Sequence, residues 1–242
     1  MKIIISPTKT MRKDCDNHSS NTIPMFINKT SELLVMMKGF DCKQLEKIYR
    51  CSEKIANDNY LLFQNMDLYN DLTQAVNCYC GISYKYLASS LMNQNQLSYL
   101  NDHLRILSGF YGILRPFDGI REYRLDFDCM SDLYQFWSDL IYKEMFKDKE
   151  VIINLASKEY SVLLEKYLQS DDELINVDFL HLENGKYKVK STYSKMARGS
   201  LARYMCENNI EEIKDIKSFT GLGFSYCHKL SNERNIVFVN ES

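Results

Sequence analysis

Breakers of regular structure are scarce in this chain, and that scarcity limits it more than any other feature. Nine glycines and three prolines serve 242 residues. Collagen, flexible linkers and proline-rich disorder are therefore excluded as its main body. Long elements follow, and 17 tyrosines with 12 phenylalanines offer aromatic filling for a core. The few breakers cluster: Gly109, Gly112, Pro116 and Gly119 fall together. They force turns there, and turns crowded with Arg and Tyr are where sites collect. A hydrophobic share of 45% and a charged share of 26% suit a globular chain long enough to bury a core. No uncharged apolar run approaches the ~20 residues that span a bilayer, so no membrane partner is expected.

The pattern predicts a short buried strand at residues 2–5, ended by Ser6-Pro7. A polar loop is expected over 11–24. Helices are predicted over 28–38, 43–49, 52–59, 94–103, 131–147, 158–168, 195–207 and 211–217, with Ser52 and Ser157 as N-caps. Strands are predicted at 104–107 and 151–155. Two more flank Glu183-Asn184-Gly185, since Asn-Gly between alternating runs marks a hairpin. A final strand at 236–239 should pair with 221–227. Strands and helices mix without a regular β-α-β repeat, linker or internal repeat. The reading is one α+β domain over residues 1–242.

Charge is uneven. The net charge is −2, yet residues 1–13 and 185–204 carry ten cations and no acid. Such asymmetry favours an anionic partner on one surface. Lys186, Lys188 and Lys190 alternate, so on a strand they face one way, towards water. The eight cysteines include no C-x-x-C, and four scattered histidines give no metal-ligand spacing. No metal and no cofactor are expected. The apolar run at the start is only Ile3-Ile4-Ile5, too short for a signal-peptide core. A cytoplasmic location and free thiols are therefore expected.

Phosphate-loop, zinc-protease and nucleophile-elbow motifs are absent. What stands out is a set of cations near turns: Lys9, Arg105, Arg115, Arg124, Lys195 and Arg198. Arg forks and Lys point charges at strand ends and helix starts hold phosphate. Lys195 and Arg198 are three apart and share a helix face. The alternative is structural pairing with Asp118, Glu122, Asp126 or Asp139.

The residues also carry a resemblance. Ile5-Ser6-Pro7-Thr8-Lys9-Thr10 and Leu104-Arg105-Ile106-Leu107-Ser108-Gly109-Phe110-Tyr111-Gly112-Ile113-Leu114-Arg115-Pro116-Phe117-Asp118 match one known family, in order. So do Tyr123-Arg124-Leu125, Leu133-Tyr134-Gln135-Phe136-Trp137-Ser138-Asp139 and Val151-Ile152-Ile153-Asn154-Leu155-Ala156-Ser157-Lys158-Glu159-Tyr160. Asn184-Gly185-Lys186-Tyr187-Lys188-Val189 and Lys195-Met196-Ala197-Arg198-Gly199 complete the set. The chain resembles the YaaA family of peroxide stress proteins from residue 3 to about residue 228. The resemblance implies a single rounded body of mixed α/β structure with a positive cleft. It implies binding of double-stranded DNA through a helix-hairpin-helix, and a role in lowering free intracellular iron. The hairpin maps onto residues 30–50, with Lys38, Gly39 and Lys43 as DNA contacts through phosphates. One segment departs: where the family reads Phe-Lys-Gly-Asp-Val-Tyr-like, this chain reads Tyr79-Cys80-Gly81-Ile82-Ser83-Tyr84. The Lys and the Asp are missing.

Two functions from different classes follow. One is a DNA-binding peroxide stress protein. The other is an enzyme acting on a nucleotide or a nucleic-acid base in the cleft. Iron storage is disfavoured, because it needs facing carboxylate and His clusters such as Glu-x-x-His pairs. Ser6, Lys9, Arg115, Glu159, Lys195 and Arg198 are expected to converge on one pocket. Glu159 is the general acid/base candidate, with Lys195 and Ser6 beside it. Tyr111 and Tyr123 are candidates for stacking on a base. Pairing of Glu159 with Lys9 or Arg198 is the structural alternative.

Overall fold

β1 (Lys2–Ile5) lies in the middle of the molecule, and its three isoleucines are almost wholly buried. An unbroken β-branched run of this kind belongs in a strand covered on both faces. The computed structural model describes residues 1–13 and 22–241. Most of the loop expected over 11–24, with Cys15 and His18, lies outside the described residues.

Three helices follow β1: α1 (Ile27–Lys38), α2 (Cys42–Tyr49) and α3 (Glu53–Gln64). Leu33, Leu34 and Met37 form the buried stripe of α1. β2 (Thr73–Gln74) leads into α4 (Ala75–Cys78) and α5 (Ile82–Leu87). α6 (Gln94–His103) starts at a reciprocal cap between Asn93 and Gln96. Then come β3 (Leu104–Ser108), β4 (Gly112–Leu114) and β5 (Gly119–Ile120). The helix expected over 131–147 is two, α7 (Asp132–Trp137) and α8 (Leu140–Met145). Ser138 divides them with a positive φ of 45°. Buried Trp137, whose indole N–H donates to the Gly109 carbonyl at 2.9 Å, anchors the end of α7.

β6 (Ile152–Leu155) and α9 (Lys158–Glu165) come next, then β7 (Leu174–Glu183) and β8 (Lys186–Lys188). α10 (Ser191–Glu207) starts four residues before the expected helix, so the strand after the hairpin is shorter than the pattern suggests. α11 (Ile213–Ile216), β9 (Ser225–Tyr226) and β10 (Asn235–Asn240) complete the described chain.

The main sheet runs β4-β3-β1-β6-β7-β10-β9, with β8 also on β7; β2 and β5 form a separate pair. The five central strands, β3 to β10, are parallel to their neighbours. β4, β8 and β9 are antiparallel additions. The architecture is thus mixed, with a parallel centre. Parallel neighbours need long crossovers, which is why no short repeat is visible in the sequence. The chain passes from β1 to β3 on one side and later returns to β6 on the other. In open sheets, ligands bind outside the carboxyl ends of strands at such a reversal.

Candidate functional site

The reversal brings the carboxyl ends of β1 and β6 together, with Ile5 opposite Leu155. Ser6 leaves one strand and Ser157 the other. The Ser157 N–H donates to Ser6 Oγ at 2.8 Å, and the two hydroxyls lie 3.1 Å apart. Tyr84 O–H donates to the Ser6 carbonyl at 3.1 Å. Ser157 is the N-cap of α9, but its hydroxyl makes no capping bond; it is spent on Ser6. No His or carboxylate bonds to Ser6 Oγ among the described residues, so Ser6 lacks a base to activate it.

Around this link opens a cavity of about 340 Å³, within the roughly 300–1,000 Å³ range of small-ligand sites. Five of the expected residues line it: Ser6, Lys9, Glu159, Lys195 and Arg198. Two close approaches shape its far wall. A Cβ on Gly199 of α10 would stand 2.0 Å from the Ser83 carbonyl oxygen, and one on Gly81 would stand 2.1 Å from Thr8 Cγ2. Only glycine lets α10 and the 81–83 segment sit this near. Ile82, where the family resemblance gives an Asp, lies on the same wall.

Lys9 Nζ lies 3.3 Å from Asp126 Oδ2. Burial works to lower the lysine, but the Asp126 charge and hydrogen bond outweigh it and hold the ammonium on. Glu159, in the first turn of α9, is raised above the usual carboxylate range. Burial is the main cause; the charges of Asp128 and Asp126 add to it, and the Asp128 N–H at 3.2 Å opposes it. Glu159 makes no ion pair with Lys9 or Arg198. Lys195 is exposed and has no ion pair among the described residues. Arg198 is half-buried, and its Nε is buried without a partner among the protein's groups. Burial pulls the guanidinium below its ordinary value, with Asp178 opposing; it stays a cation.

The remaining expected residues lie elsewhere. Arg115 bonds to Asp118 through Nε at 3.1 Å and a terminal nitrogen at 2.9 Å. Asp118 is 1% exposed, so this pair holds a turn. Arg105 donates to the Asn101 and Leu104 carbonyls at 2.9 and 2.7 Å. Tyr111 is buried, and its hydroxyl accepts from the Arg121 N–H at 3.0 Å. The Tyr123 hydroxyl lies 2.6 Å from Ser108 and 2.8 Å from that of Tyr79. Both rings are core, packed on Phe110 and on each other, and offer no face to a ligand. Arg124 lines a separate small recess with Lys9 and Asp126, its guanidinium 5.7 Å from the Tyr49 ring centre.

The expected hairpin is a plain turn. Gly39 N–H and Phe40 N–H donate back to the Met36 and Met37 carbonyls. Asp41 N–H bonds to Gln44 Oε1, and Asp41 Oδ1 accepts from Gln44 N–H, both at 2.8 Å. The backbone donors of Gly39, Phe40, Asp41 and Gln44 are thus engaged, and a carboxylate occupies the start of α2. That helix packs on α3 rather than α1, and Gly39 has an ordinary helical φ of −76°.

Sequence reasoning missed Thr8, Ser83 and Tyr160 as lining residues. Their one signal is position: Thr8 and Tyr160 adjoin the expected site residues Lys9 and Glu159, and Ser83 follows Gly81 by two. Among the described residues no group of three or more His, Cys, Asp or Glu could hold a metal ion. No described helix is long and apolar enough to cross a membrane.

With the geometry in place, comparison with known proteins is direct. Residues 1–230 match the family model described as peroxide stress protein YaaA. The chain is 43% identical to a UPF0246 protein of Agathobacter rectalis over 244 aligned residues, covering 98% of each chain. It is 42% identical to UPF0246 proteins of Pediococcus pentosaceus and Ligilactobacillus salivarius, covering 99% of this chain and 98% and 99% of theirs. With the match running through both strand ends and α10, the chain belongs to the YaaA family of peroxide stress proteins.

Proposed function

We propose that this protein limits peroxide damage by holding a phosphate-bearing ligand, a nucleotide or a nucleic-acid terminus, in the cleft beyond β1 and β6. The supporting observation is the convergence of Lys9, Lys195 and Arg198 on one cavity at the start of α9. Three cations and a helix N-terminus form an anion seat. Glu159 beside them, raised by burial, has the character of a general acid or base. The protein acts in the cytoplasm, and the lowering of free iron follows from ligand turnover rather than storage. Calorimetric titration with phosphate and nucleoside monophosphates tests this. Wild-type binding that Lys195→Ala weakens about tenfold or more, with loss of peroxide protection in cells, is the expected result. Protection that survives Lys195→Ala and Arg198→Ala would make the cleft structural.

A second reading keeps double-stranded DNA as partner, laid along residues 185–204 rather than on the α1–α2 turn. Exposed Lys186, Tyr187, Tyr193 and Lys195 in this segment favour it. Lys188 and Lys190 contribute less, since both pair with Glu183. Phosphate contacts release counterions, so binding must fall steeply with salt. Fluorescent duplex titrated at low and moderate salt decides it; no binding at low salt removes DNA as a partner.

A further inference from the structure

A second cavity, of about 430 Å³, adjoins the cleft and shares Arg198 with it. It arises from a stagger in the sheet. β6 pairs with β7 only as far as Asn154 opposite Asn176, while β7 runs on to Glu183. Asn176 is in turn opposite Asn235 on β10. Three asparagines therefore stand in register across three neighbouring parallel strands. Asp178, two residues beyond Asn176, faces the same way.

An amide row in a sheet is costly unless each group finds a partner. Most do. Asn154 Nδ2 donates to Asn176 Oδ1 at 2.7 Å, and Asn154 Oδ1 accepts from the Ala156 N–H at 2.9 Å. Asn235 Nδ2 donates to Asp178 Oδ2 at 3.1 Å. A carboxylate only accepts, so Asp178 fixes which way the Asn235 amide faces. That leaves Asn235 Oδ1 as a buried acceptor with no partner, and Arg198 Nε as a buried donor with none. Both belong to residues lining this cavity. A molecule seated there that offers a hydrogen-bond donor and an acceptor would complete both.

We propose that this second cavity is a nucleobase subsite, in which Asn235 and Arg198 read the donor–acceptor edge of a base whose phosphate sits in the adjoining cleft. Amide oxygens and guanidinium N–H groups recognise base edges by hydrogen bonds, and enzymes that take a single base read it at its hydrogen-bonding edge. Arg198 belongs to both cavities, so one ligand spans them. The inference rests on the phosphate reading of the cleft, but its test separates the two.

The full-length protein is titrated by calorimetry with the four ribonucleoside 5′-monophosphates, with ribose 5-phosphate and with the free nucleosides. At least one monophosphate should bind tenfold or more tightly than ribose 5-phosphate. Asn235→Ala should abolish that difference and leave ribose 5-phosphate unchanged, whereas Lys195→Ala should weaken both alike. Asp178→Asn keeps the volume and frees the Asn235 amide to turn; it should lower base discrimination even if Asn235→Ala folds poorly. Free nucleosides that bind while ribose 5-phosphate does not would uphold this subsite and remove the phosphate reading. Monophosphates that bind no better than ribose 5-phosphate, a preference that survives both variants, or no binding of any nucleoside or nucleotide would overturn it.

Discussion

Glu159 and Arg115 show how far single residues can be read. The place of Glu159 on the cavity wall was legible because it follows a buried strand by four positions and opens a helix, the place where sheet clefts form. Its raised carboxyl pKa means that the folded state binds the proton more tightly than the unfolded chain. Stability from this group is therefore present below the ordinary Glu pKa and is lost as pH rises through the raised value. Glu159→Gln should consequently look more favourable, relative to the native protein, at pH 7 than at pH 4; urea unfolding at both values measures it. Arg115 was misread because its partner, Asp118, is only three residues away and the turn closes on it. Removing the arginine takes a charged partner from a buried carboxylate that keeps the Thr22 hydroxyl and the residue 115 backbone N–H, so Arg115→Ala should cost roughly 1–3 kcal/mol in stability. Lys195→Ala, on an exposed side chain, should stay within about 0.5 kcal/mol. Tyr111 and Tyr123 were read as stackers although 17 tyrosines already pointed to an aromatic core. Cys129 lies beside the carboxylate that pairs with Lys9, donating to Asp126 Oδ1 at 2.7 Å. Burial, then Asp126, pushes it up to about 12, so it is not a ready thiolate for peroxide. Cys129→Ser should leave peroxide protection intact in a survival assay.

Elements bounded by caps and turn residues were legible; those that depend on distant contacts were not. α6 matches its predicted range because Asn93 and Gln96 cap each other locally. The long helix expected at 131–147 fails because its apolar stripe continues through Ser138 while Trp137 is held by Gly109, far away in sequence. The α1–α2 turn has hairpin-like spacing, but spacing does not reveal that its donors are already engaged. The contact of α10 with α5 is likewise invisible in sequence, although Gly199 enables it. Gly199→Ala would drive a methyl into the Ser83 carbonyl. Overpacking of this kind costs typically 1–3 kcal/mol, and here it would also shift Lys195 and Arg198. Lower thermal stability together with weaker phosphate binding is the expected pair of results; phosphate affinity unchanged alongside normal stability would show that the helix has room.

Across the whole molecule, the strands could be found but not their order. Antiparallel hairpins such as β7–β8 leave a turn signal in sequence, whereas parallel neighbours are joined by crossovers whose partners no local pattern names. The buried residues form one continuous cluster running from β1 to β10, so the central strands should open only with the whole structure. Amides of Ile4 and Ile153 should exchange slowest and those of β8 among the fastest, as hydrogen-exchange spectra would show. A cleft built on such a sheet inherits its rigidity. The Ser6–Ser157 link ties two adjacent strand ends through a hydroxyl pair and a backbone N–H, so the floor of the site is set during folding. The entropy of ordering it is spent before any ligand arrives. A ligand then has only long side chains such as Lys9 and Lys195 left to immobilise, at about 0.5–1.5 kcal/mol each. If the cleft takes the phosphate-bearing ligand proposed above, its recognition is closer to docking on a finished surface than to closing a lid.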